Sequence, residues 1–288
     1  MAAGLYRQLY LFCSDLPGSH EGVQYNLSLE AEPPLERIHR LLLASYGRPG
    51  PWVLFDPVSQ LVMALIGTRT VTTTSKRVFV ALVRRYGSWA EVSGRPPAEL
   101  RALLVPVTYA DVKAERLPAA LRAIALQCGA LDLDFLGAWP EEPALHWLER
   151  LPGVGRKVSA ATLNFSLLRR RVLVVDLHHL RVVQRLGLVP RNAALAQAYR
   201  MLMRRLPDRW TAADLDDHHM LIMHHAQTVC RVLAPRCGAC VLAALCPTAA
   251  RGRQPRHDQG PRSRLVEQPR SSRNLPRRPE SDQRTIRN

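Results

Sequence analysis

The segment Leu151-Pro-Gly-Val-Gly-Arg-Lys157 joins two runs of helical periodicity, residues 143–150 and 157–169, through glycines one residue apart. Such a joint turns tightly, and without Cβ atoms its backbone can approach another molecule closely. The amides of the turn and the amino end of the following helix together form an anion site. Ala160 and Ala161 let the second helix lie close to its partner. Taken alone, Gly-x-Gly also fits an ordinary helix-turn-helix corner. The residue that closes the segment is informative, because Lys157 is one of three lysines among 40 basic residues. Arginine supplies charge but cannot be deprotonated or form a Schiff base. Near a helix amino terminus the macrodipole disfavours a positive charge and lowers the pKa of an amine. Lys157 reads either as a solvated surface lysine or as a nucleophilic amine.

Nineteen residues further on, the apolar run Val172-Leu-Val-Val175 ends at Asp176, followed by Leu177, His178 and His179. Aspartate after an extended run and before a helix is an amino-terminal cap. A capped carboxylate is also a fixed one, so Asp176 serves as a cap alone or as a cap that takes part in chemistry. Of the two histidines, one is expected to pack inward with a bonded ring and the other to be exposed.

Outward from this centre the pattern predicts an all-α fold. Helices are expected at 34–46, from Pro57 behind an Asp56 cap through Ile66, and at 74–86, 97–104, 110–128, 143–150 and 157–169. Further helices should start at Asp176, fill 191–206 and run over 214–231. Order is expected to end after Pro247, where Arg, Pro, Ser and Gln take over. Residues 1–27 have weak periodicity and read as a loosely packed extension.

The formal charge of +16 points to a polyanionic partner, although eleven arginines against four acids in residues 251–288 leave about +9 for the rest. The tail should raise general affinity for DNA by counterion release. No apolar run is long enough to span a membrane, and no secretory signal opens the chain. An intracellular protein is expected, and with it reduced cysteines. Cys230, Cys237, Cys240 and Cys246 follow a C-x6-C-x2-C-x5-C spacing, suited to one centre holding either a [4Fe-4S] cluster or zinc. The lack of two separated C-x2-C knuckles favours iron and sulfur. Arg231 and Arg236 place positive charge beside it.

These motifs, in this order, resemble the endonuclease III family of helix-hairpin-helix DNA glycosylases. The resemblance rests on residues 151–157, Val175-Asp-Leu-His178, Arg181-Val182 and the four cysteines, and it covers about residues 50–247. It implies a six-helix barrel over 50–168, a second helical domain from 28–49 plus 169–247 that carries the [4Fe-4S] cluster, and double-stranded DNA across the groove between them. The extension 1–27 and a basic, disordered tail at 248–288 flank these domains. The resemblance further implies a monomer acting on DNA that contains a damaged base or abasic site, in a prokaryotic, nucleoid-associated setting. Lys157 would attack the sugar of an extruded nucleotide, with Asp176 assisting, in a glycosylase with β-elimination lyase activity. Gly153, Gly155, Arg156, His178 and Arg181 would contact DNA. Where the family has a strand-filling glutamine this chain reads Gly67-Thr-Arg69-Thr-Val-Thr72, so Arg69 either fills the vacated stack or binds phosphate. Tyr109, in Val107-Thr-Tyr109-Ala-Asp-Val-Lys113, replaces an apolar wedge and either stacks on a base or packs as a helix-end tyrosine. A monofunctional glycosylase for mismatched or alkylated bases, or a non-catalytic DNA-binding protein whose cluster senses redox state, are the alternatives.

Overall fold

Caps and turns set most of the helix boundaries. In the computed structural model, which describes residues 34–50 and 53–253, Asp56 accepts a hydrogen bond from Ser59 N at 2.9 Å and Pro57 takes the first helical position. The chain forms α1 (Pro34–Tyr46), α2 (Pro57–Gly67), α3 (Thr72–Tyr86), α4 (Trp89–Gly94), α5 (Pro97–Leu104), α6 (Ala110–Cys128), α7 (Glu141–Glu149), α8 (Arg156–Asn164), α9 (Leu177–Arg185), α10 (Leu195–Met203), α11 (Ala212–Thr228) and α12 (Pro247–Arg253). No strand occurs among the described residues, and one isolated parallel bridge pairs Phe55 with Ser166. The protein is all-α, as its periodicity predicts. No helix among the described residues is long and apolar enough to cross a membrane.

Three boundaries depart from the sequence reading. Helix α8 stops at Asn164 rather than at 169, because Phe165 leaves the helix and Ser166 bridges to Phe55. The Asn164 side chain then holds the returning chain, donating to Arg170 O at 3.0 Å and Ala212 O at 3.1 Å. The short helix α4, begun by a Ser88 cap, is too brief to announce itself by periodicity. Order does not end at Pro247. Proline suits a first helical position, α12 follows, Thr248 Oγ1 donates to Arg185 O at 2.9 Å, and Ala249 is buried. The expectations for residues 1–27 and for the tail beyond 253 lie outside the described residues.

The larger apolar core gathers Leu61, Phe79, Leu82, Leu121, Leu148 and Leu163. It runs without a break across residue 168 to include Val172–Val175, Tyr199, Trp210 and Leu215. Each of the four residues 172–175 is buried, which at about 1.5–3 kcal/mol per side chain fixes the segment that delivers Asp176. A smaller core of Ile38, Leu42, Val182, Leu186, Leu221 and Ile222 underlies Cys230, Cys240 and Cys246. Ala160 and Ala161 are buried where α8 packs on α2 and α7.

Candidate active site

Two structural units converge on Lys157. The first is the α7–α8 turn. Gly153 has φ +81°, a left-handed value, and a Cβ there would stand 3.0 Å from Arg116 Cδ and 3.5 Å from Leu65 Cδ2. Gly155 differs: it caps α8 with an extended backbone (φ −115°), and a Cβ there would meet nothing within 4 Å. Only Gly153 is demanded by the turn itself, while Gly155 leaves the mouth of α8 open. The first amides of α8 precede its internal hydrogen-bond ladder and face that opening.

Lys157 lies half-buried in the first turn of α8. Burial lowers its amine pKa, while the charge of Asp176 acts in the opposite sense. The direction is the one the sequence predicts, but its leading cause is burial.

The second unit brings Asp176 in from α9. As predicted, Asp176 caps that helix and accepts from His179 N at 2.8 Å. Burial pushes its carboxyl up, but His219, the His179 amide and the rings of His179 and His178 outweigh burial and hold it below the ordinary carboxylate value. Beneath it lies a buried group of rings. His179 and His218 stand 5.4 Å apart, and Trp210 lies 5.0 Å from His218. His219 Nδ1 bonds to Val174 O at 2.8 Å. His179 packs inward and His178 is half-exposed, as expected. The expected bond on the inner ring is missing, because both ring nitrogens of His179, and both of His218, lack a hydrogen-bond partner among the described residues.

Beside the glycine turn a pocket of about 270 Å³ is lined by Leu65, Ile66, Thr68, Arg69, Tyr109, Val112, Lys113, Arg116, Leu117 and Gly153. Arg69 and Tyr109 meet at its rim: Arg69 donates to the Tyr109 hydroxyl at 3.2 Å, and its guanidinium carbon sits 5.8 Å from the ring centroid. Both have positive φ, 55° and 59°. Tyr109 is 55% exposed, so the reading as a packed helix-end tyrosine does not hold.

The chain is 28% identical over 212 residues to endonuclease III of Synechocystis, an alignment spanning 73% of this chain and 90% of that relative. With endonuclease III of Escherichia coli K12 it shares 36% identity over 119 residues, 41% of this chain and 53% of that relative, about half its length. The chain is thus similar in sequence to endonuclease III proteins. Its fold is shared with an endonuclease III solved as a non-covalent DNA complex (TM-score 0.63, 19% identity, 78% of this chain and 99% of the other). It is likewise shared with a thermostable thymine-DNA glycosylase (TM-score 0.62, 18% identity, 75% and 97% covered). No family model matches the chain.

Two arginines expected at DNA are turned elsewhere in this chain. The Arg156 side chain is 13% exposed, pairs with Glu149 at 2.6 Å and Glu142 at 2.9 Å, and lies 4.8 Å from the centre of the Tyr199 ring. Two carboxylates within reach outcompete a solvent-facing pose, which leaves Arg156 its backbone amide for an anion. Arg181 donates to Cys230 O at 3.0 Å and Ala226 O at 2.9 Å, serving carbonyls at the end of α11 that have no helical partner. It also meets His178 Nδ1 at 3.3 Å.

The four cysteines are free, half-buried thiols. Burial raises the Cys240 thiol pKa, the Leu242 backbone lowers it, and Cys230, Cys246 and Cys237 each raise it further. Cys230, Cys246 and Cys237 therefore lie near enough to Cys240 for their charges to act on it. No group of three or more His, Cys, Asp or Glu among the described residues stands at closed metal-ligating geometry. Arg185, which the sequence reading passed over, donates to Cys230 Sγ at 3.2 Å and to Arg231 O at 2.7 Å. Lys113 was also passed over, although the scarcity of lysine that singled out Lys157 applies equally to it.

Proposed function

We propose that the protein is a DNA glycosylase with an associated abasic-site lyase activity in base excision repair, acting as a monomer on double-stranded DNA with a damaged base or abasic site. The observation that carries this reading is the half-buried Lys157 amine, lowered in pKa, acted on by the Asp176 carboxylate at the end of an anion-binding turn. DNA lies across the groove between the barrel of residues 50–168 and the part formed by 28–49 with 169–247. The turn at Gly153 and Gly155 holds a backbone phosphate through its amides. The target nucleotide leaves the stack, and Arg69 with Tyr109 occupies the void. The neutral Lys157 amine bonds to the anomeric carbon as the base departs with the bond's electron pair. Asp176, ionised, stabilises the positive charge that develops on the sugar and handles protons. Ring opening gives a Schiff base on Lys157. Loss of a proton from the adjacent sugar carbon then expels the 3′ phosphate and nicks the strand.

Cys230, Cys237, Cys240 and Cys246 would hold a [4Fe-4S] cluster. Bound there, the cluster would brace the loop between Cys230 and Cys237, whose Arg231 and Arg236 are exposed. Purified protein should then be yellow-brown and contain iron with acid-labile sulfide; a colourless, zinc-loaded sample would overturn that assignment. The endonuclease III relatives from Synechocystis and Escherichia coli are bacterial, and the reading places this protein at the nucleoid in the cytoplasm.

Borohydride trapping on abasic-site DNA tests the central step. The unaltered protein should give a covalent adduct and Lys157→Ala none. An undiminished adduct from Lys157→Ala removes this lysine from its role, and base release without strand cleavage moves the protein to the monofunctional class.

A further inference from the structure

Of the lysines the mechanism leaves unused, Lys113 is buried (9% exposed) in the wall of the pocket. Its Nζ donates to Ile66 O at 2.6 Å, Thr68 O at 2.8 Å and Thr70 Oγ1 at 3.0 Å. An ammonium has three donors, so every proton is engaged and the amine is a tether rather than a second nucleophile. The carbonyls of Ile66 and Thr68 belong to the end of α2, which bears partial negative charge and lacks internal partners.

The Thr70 hydroxyl carries the tether to a second loop. It donates to Thr68 O at 3.3 Å and accepts from Thr108 N at 3.1 Å as well as from Lys113. One donor and two acceptor sites are thereby filled. Arg69 lies between Thr68 and Thr70, and Tyr109 follows Thr108. Both keep left-handed backbones, which persist in non-glycine residues only where the surroundings over-determine them. Val71 (70% exposed) and Val105 (66%) stand on the same two loops. Exposed apolar side chains beside a cation suit insertion at a base step.

We propose that Lys113 is a positioning residue that locks the loops bearing Arg69 and Tyr109 into one register, so that the pair can occupy the void in a duplex while a nucleotide is held outside it. This inference rests on the lyase reading above, and one assay separates the two. The same abasic site is presented in a duplex and in the bare single strand, which needs no extrusion, and the rate of borohydride trapping is measured on each. Lys113→Met should lower the duplex-to-single-strand rate ratio by at least about tenfold. Thr70→Val, which removes the hydroxyl from a surface loop, should lower it by about threefold and decides the matter if Lys113→Met does not fold. Loss of fold alone would slow both substrates and leave the ratio unmoved. An unchanged ratio in folded Lys113→Met, or in Thr70→Val when the lysine variant does not fold, overturns the inference. Failure of the unaltered protein to trap on either substrate would instead overturn the lyase reading.

Discussion

The two sides of the site are built on opposite terms. At the pocket rim, Arg69 and Tyr109 are exposed on left-handed backbones and hydrogen-bond to each other. On the other side, Asp176 is a helix cap at the end of four buried residues, close to the buried His179 and His219. Strain is retained where side chains must be offered to a partner, and burial is used where a charge must be held still. Lys157 sits between, at the end of a turn that needs one of its two glycines for its own shape.

Asp176→Asn tests the buried side most severely. Base release should fall by on the order of 10²–10⁴-fold, the range for a lost proton-handling group. Trapping on a ready-made abasic site should survive, with an informative shift. Because the Asp176 charge favours protonated Lys157, removing it lowers the amine pKa further, and the acid limb of the trapping profile should move to lower pH. Full base release, or a limb that moves upward, would reduce Asp176 to a cap.

The buried rings predict acid sensitivity. Burial holds His179 down to about 3 and His218 well below the ordinary value. Below about pH 6.5 the unfolded chain binds protons that the folded chain refuses, so stability present above that pH is lost as pH falls, by about 1.4 kcal/mol per pH unit per histidine. For His179 the loss continues to about pH 3. Urea unfolding at pH 7 and 5 measures it, and His179→Leu should flatten the slope. Equal slopes would mean that the ring is solvated.

The glycines provide a milder contrast. Gly153→Ala should cost about 1–3 kcal/mol through its left-handed φ and the approach to Arg116. Gly155→Ala should leave stability nearly unchanged and weaken affinity for undamaged DNA, because its Cβ would project into the open mouth of α8. Thermal unfolding beside a binding titration separates the two, and matching effects would erase the distinction. The smallest effect is expected from Lys157→Met, which should raise the melting temperature slightly by relieving a desolvated amine; a fall would show that Lys157 contributes to stability.

Most of the helices, the Asp56 and Asp176 caps, the glycine turn and the order of the cysteines were legible in the sequence, because each depends on contacts within a few residues of chain. The amino acids alone also singled out Lys157 through the rarity of lysine. What they left undecided was where the cations turn. Arg156 and Arg181 face inward and Arg69 outward, although all three look alike as charges. Lys113 is a tether because carbonyls more than forty residues away come within 2.6 to 2.8 Å of it. Local chemistry fixes a helix end, but a long charged side chain goes to whichever carboxylates and unpaired carbonyls the packed fold brings within reach, and only tertiary structure supplies those.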